Sequence, residues 1–137
     1  PGDLYTSLGA ALVVGGVSDA IAESQARLVY VCNLMTKQGQ TDNCGVREHE
    51  AVITKLIGRA PDTVLVNSTA VSPALLERYQ EEGEWPVAVN VDVHSSRYVV
   101  DDFVASTRAK TESGDSLKRS LVRHDPMKLA RAITQLL

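Results

Sequence analysis

Three short apolar runs constrain this chain's fold more than any other feature: LVYVC at residues 28–32, TVLV at 63–66 and VAVNV at 87–91. Each is rich in β-branched residues and apolar at nearly every position, so neither face is left for water. That is the pattern of strands covered on both sides, as in a parallel sheet. Segments with helical spacing lie between them. Residues 46–57 place Val52, Ile53, Leu56 and Ile57 on one side, and residues 72–82 open with Ser72-Pro73, an N-cap followed by proline in the first turn. The alternation of strand and helix predicts a parallel α/β sheet with right-handed crossovers.

The two ends fit the same scheme. Residues 4–26 read as one broken helix or two short ones, interrupted at Gly15 and Gly16. Near the other end, Asp125 is a good N-cap and Pro126 a good first-turn residue, so the last helix is predicted to start there with an apolar stripe that includes Leu129, Ile133 and Leu136. Residues 105–120 form the most polar window and predict a surface loop.

Composition narrows the class. With 137 residues, 44% of them hydrophobic and 23% charged, the chain suits one compact domain that needs no disulfide or metal staple. A net charge of −3 without blocks of like charge argues against a nucleic-acid partner. No run approaches the ~18–20 apolar residues of a membrane span, and no signal-peptide pattern is visible. Cys32 and Cys44 form no CxxC pair and have no histidines at zinc spacing, which reads as bystander thiols in a reducing, cytoplasmic setting. The first residues resemble the middle of a loop, so a longer parent polypeptide is an open alternative.

In an open parallel sheet, ligands bind beyond the carboxyl ends of the strands. The candidate strands end in Asn33, in Asn67, and in Asn90 with Asp92, which predicts a polar crevice, although such residues also form ordinary turns. The connection 34–42 is longer than usual, and Thr36, Gln38, Gln40 and Thr41 would supply neutral donors, Lys37 a cation and Gly39 an open backbone. Gly2, Thr6 and Ser7 lie in a glycine-containing turn feeding a helix, an arrangement that can receive an anion, with Asp3 opposing it. Arg123 and His124 precede the last helix, and Arg123 is the best single candidate for a phosphate. Tyr79, late on its helix, would stack on a base or merely pack. His49 and His94 have no metal-pair spacing, and no catalytic Ser-His-Asp or Cys-His arrangement can be argued.

Four motifs go further. PGDLYTS (1–7), VYVCNLMTKQGQTD (29–42) with His49 beyond it, LLERYQEEGEWPV (75–87) and LVRHDP (121–126) follow one another in the order of the gluconeogenesis factor, or YvcK-like, family. That family belongs to the CofD-like superfamily, which also contains 2-phospho-L-lactate transferase. The resemblance implies a three-layer αβα, Rossmann-like, mostly parallel sheet. It also implies that residues 1–137 are the carboxyl-terminal half of a larger domain whose Gly-rich nucleotide-binding half lies elsewhere. The family's motifs fall on Gly2, Thr6 and Ser7, on Asn33, Thr36 and Thr41, and its nucleotide-sugar contacts on Tyr79 and Arg123, beside His124. Asp3 stands where the family has serine, and Gln40 where it has glutamate.

By this resemblance the chain is expected to be a non-catalytic regulator. It would bind a UDP-sugar of the UDP-N-acetylglucosamine type and be linked to central carbon metabolism, cell-wall synthesis and cell shape in bacteria. A transferase of the phospholactate type, using Mg2+, is the alternative; a homodimer is left open.

Overall fold

The computed structural model describes residues 2–106 and 121–136. Three parallel strands, β1 Val29–Val31, β2 Thr63–Asn67 and β3 Tyr98–Asp101, form a sheet in the order β1-β2-β3. Val29 pairs with Thr63, and Val64 pairs with Tyr98. The five helices of the described residues are α1 Leu4–Leu12, α2 Val17–Glu23, α3 Val46–Ile57, α4 Pro73–Gln80 and α5 Pro126–Thr134. Residues 107–120, the bulk of the predicted polar loop, lie outside the described part.

Alternation along the strands sorts the core into layers. Tyr30, Cys32, Val64 and Val66 face one side and pack with Leu4 and Leu12 of α1 and with Val46, Ile53 and Ile57 of α3. Leu65 faces the other side with Val29, Val31 and Val99, covered by Phe103 and by Leu129 and Ala132 of α5. Successive strand residues point to opposite faces, so burying both faces demands the unbroken apolar runs seen in the sequence. The expected three-layer αβα architecture is present.

The first helical segment begins as a π-helix, Leu4–Gly9, and meets α2 at an angle of 76° across the predicted glycine break, where Gly16 has a φ of 83°. That left-handed conformation is one glycine adopts without steric cost. Among the described residues no single helix is long and apolar enough to cross a membrane, although this bent pair has that length and composition together.

The predicted third strand requires correction. Residues 87–91 are not a strand, and the edge position is taken by Tyr98–Asp101. Instead the 86–90 segment spends its hydrogen bonds elsewhere. Pro86 bridges Met35 in antiparallel fashion, Val87 N–H donates to the Leu34 carbonyl, and the Ala88 carbonyl accepts from Val46 N–H. Asn90 then accepts from Arg47 N–H through Oδ1 at 3.0 Å and donates to Glu48 through Nδ2 at 2.7 Å. An apolar run whose backbone bonds go to the loop after β1 and to the start of α3 is drawn away from the sheet.

Candidate functional site

Two clefts open at the carboxyl end of the sheet. The larger, about 420 Å³, lies between α1, the tip of β1 and the segment entering α5. Its polar lining includes Gly2, Ser7, Asn33, Thr36 and His124, five of the residues singled out from sequence, together with Asp3 and Glu84. Leu8, Ala11, Met35 and Val122 supply apolar wall. The smaller, about 280 Å³, sits over the tips of β1 and β2, bounded by the 67–71 turn and Val46. Asn33 and Leu34 line both and so divide them.

Asn33 is already engaged. Its Nδ2 donates to the Gly2 carbonyl at 3.0 Å, and its Oδ1 accepts from the Tyr30 hydroxyl at 3.3 Å. The amide therefore fastens the chain's first residues to the strand tip. Gly2 itself has no room for a side chain, since a Cβ there would fall 2.4 Å from that of Ser7. Asn67, at the tip of β2, is likewise spent: it accepts from Phe103 N–H at 3.0 Å and donates to the Thr69 carbonyl at 2.8 Å.

The 34–42 loop departs from the expectation that its side chains offer donors to a ligand. Thr36 is buried and its hydroxyl accepts from Trp85 N–H at 2.9 Å, while its own N–H donates to the Trp85 carbonyl at 2.7 Å. The Thr41 hydroxyl is also buried and accepts from Lys37 N–H at 2.8 Å, closing the loop on itself. The Lys37 ammonium pairs with Glu84 Oε1 at 2.6 Å, and the glutamate's side chain is only 8% exposed. Hydrogen bonding to Glu84 raises the Lys37 pKa. A buried carboxylate needs such a partner, so the predicted free cation is committed 47 residues along the chain.

Four predicted residues stand outside the lining of both clefts. Thr6 is exposed on α1 and its hydroxyl donates to Asp3 Oδ2 at 3.3 Å. Thr41 closes its loop, as above. Tyr79 is buried among Val71, Val122 and Leu75, and its hydroxyl accepts from Leu121 N–H at 2.9 Å and Val122 N–H at 3.1 Å. The phenol is an internal anchor in this structure rather than a stacking platform. Arg123 is half-buried between Val122 and His124, which both line the larger cleft. Alternate residues of an extended segment face opposite ways.

The anion site expected at the start of α5 is already filled. Asp125 Oδ1 accepts from Met127 N–H at 2.9 Å and from Lys128 N–H at 3.1 Å. The cap that makes the helix legible in the sequence also neutralises its positive end.

His124 is held on both sides. Val104 and His124 form an antiparallel bridge, and Nε2 lies 3.2 Å from the Cys32 carbonyl at the strand tip. Burial lowers its pKa. Burial also pushes the Cys32 thiol up to about 12, leaving it protonated and inert. His49 is buried, with Nδ1 2.8 Å from the Gly45 carbonyl, and burial lowers its pKa. Among the described residues no group of three or more His, Cys, Asp or Glu side chains is placed to hold a metal.

Glu84, Leu8, Ala11 and Val122 were missed. Glu84 sits in a polar stretch whose only local signal is Gly83, and nothing in that stretch reveals that it returns to the strand tip.

Comparison with known proteins agrees with this architecture. The family model described as 2-phospho-L-lactate transferase CofD matches residues 1–104. A relative from Deinococcus radiodurans with the provisional name gluconeogenesis factor is 35% identical over 136 residues, covering 99% of this chain and 27% of its own length. A second, so named from Thermotoga maritima, is 35% identical over 136 residues, covering 99% of this chain and 42% of its own. The solved structure of a UPF0052-family protein from Bacillus halodurans is 32% identical with a TM-score of 0.79, covering 98% of this chain and 40% of that one. This chain thus spans well under half the length of the relatives it matches. With most of its length matched by that one family model, the chain belongs to the CofD family.

Proposed function

We propose that the larger cleft receives the sugar portion of a nucleotide-sugar, and that the polypeptide acts as a ligand-binding regulator of the gluconeogenesis factor type. The observation that carries this reading is the cleft's mixed lining. Neutral polar groups at Ser7, Asn33 and His124 alternate with apolar surface at Leu8, Ala11 and Val122, beside the carboxylates Asp3 and Glu84, the latter paired with Lys37. A sugar ring presents both hydroxyls and apolar C–H faces, so it complements such a wall. A bare phosphate would demand cations and free amides. UDP-N-acetylglucosamine is the probe of choice. The curated relatives' provisional name, gluconeogenesis factor, supports a link to carbon metabolism.

Isothermal titration calorimetry with UDP-N-acetylglucosamine tests the assignment. The wild-type protein is expected to bind at one site. Ala11→Phe, at an exposed helical position on the cleft wall, is expected to weaken binding at least tenfold by filling the space. No binding heat with the wild type, or full affinity in Ala11→Phe, would remove the ligand from this cleft.

A further inference from the structure

We infer that His124 is a specificity-determining residue, whose bare Nδ1 accepts a hydrogen bond from a ligand hydroxyl or N–H in the larger cleft. This rests on the nucleotide-sugar reading of that cleft and names what the ligand must present.

The chain of reasoning starts at Cys32. Its backbone carbonyl can only accept, so the His124 nitrogen 3.2 Å away, Nε2, carries the proton. In a neutral imidazole the other nitrogen is then a lone-pair acceptor. Burial disfavours the imidazolium, which keeps the ring in this neutral form near pH 7. Backbone bonds fix the residue from both sides: Ala105 N–H donates to the Arg123 carbonyl at 2.9 Å, and Asp125 N–H donates to the Phe103 carbonyl at 2.8 Å. Nδ1 has no hydrogen-bond partner among the described residues.

Its neighbours in the cleft are differently committed. The Asn33 amide is bonded at both ends, the Thr36 hydroxyl accepts from Trp85 N–H, and Glu84 holds Lys37. Asp3 is the charged acceptor there, on the α1 side and bonded by Thr6. His124 is therefore a neutral acceptor on a rigid mount in the lining of a cleft whose Asn33, Thr36 and Glu84 are already engaged. Such an acceptor rewards a donor and rejects an isostere without one, because a lone pair that the ligand covers and leaves unpaired costs binding energy.

Two measurements on the full protein test this. Long-range proton–nitrogen NMR at pH 7.5 is expected to show His124 as the Nε2–H tautomer with unprotonated Nδ1. On saturation with UDP-N-acetylglucosamine the Nδ1 resonance is expected to move in the direction of an accepted hydrogen bond. His124→Gln places an amide donor where Nε2 was and so preserves the Cys32 contact while removing Nδ1. It is expected to melt like the wild type and to bind the nucleotide-sugar about tenfold more weakly. The inference fails if free His124 is protonated at Nδ1, if Nδ1 is silent to a ligand that binds, or if His124→Gln binds as tightly as the wild type. Absence of binding to the wild type is a different result: it overturns the nucleotide-sugar reading itself, and this inference with it.

Discussion

Replacing Tyr79 by Phe separates an anchor from a stacking residue. The substitution keeps the ring and its packing against Val71 and Val122 but deletes the oxygen that accepts from Leu121 and Val122 N–H at 2.9 and 3.1 Å. A buried donor left without a partner costs about 1–3 kcal/mol. The Val122 amide is buried and bears most of that penalty, whereas the Leu121 amide is partly buried and recovers some of it from water. The sum is about 2–3 kcal/mol. With a urea m-value of about 2 kcal/mol/M for a domain of this size, the unfolding midpoint should fall by about 1–1.5 M. Native-state hydrogen exchange gives the local readout: the Leu121 and Val122 amides should lose protection while those of β2 keep it relative to global stability. An unchanged midpoint with both amides still protected would refute the anchoring role. It would return Tyr79 to the role its place in the sequence suggests, a ring whose hydroxyl is dispensable.

Two further outcomes follow from the buried charges and histidines. Burial holds His49 and His124 below the ordinary histidine range, so as pH falls the unfolded chain takes up protons first, near pH 6.5. Stability should be complete above that value and decline as pH drops toward the lower folded pKa values; urea midpoints at pH 7.5 and 5.5 check this, and a rise on acidification would contradict it. Lys37→Met leaves Glu84 buried and unpaired, with an expected loss of about 2 kcal/mol, less than the ~3–5 of a fully buried pair because Lys37 is 38% exposed. Adding Glu84→Gln should recover much of that loss in the same denaturation assay.

How far the sequence reaches depends on how local each signal is. β1, β2 and α3 were legible because apolar runs and 3.6-residue spacing act within a few residues, and the start of α5 because Asp125 and Pro126 are neighbours. The third strand was misplaced. Residues 87–91 are more apolar than YVVD at 98–101, yet β3 lies at the sheet edge, half-buried, where a weaker apolar signal suffices. The same limit applies at the site. Asn33 could be placed at a strand tip, but its bond to Gly2 spans 31 residues and the Lys37–Glu84 pair spans 47. Residue type reports what a group can do; only the folded chain reports that its capacity is already taken.

The wall shared by the two clefts ties their dimensions together. Asn33 and Leu34 bound both spaces, and close-packed interiors have little slack to absorb a displaced side chain. A bulky substituent that shoved Leu34 out of one compartment would intrude on the other. Widening either by displacing Leu34 therefore narrows its neighbour, so attempts to re-engineer ligand size here must treat the two spaces as a pair.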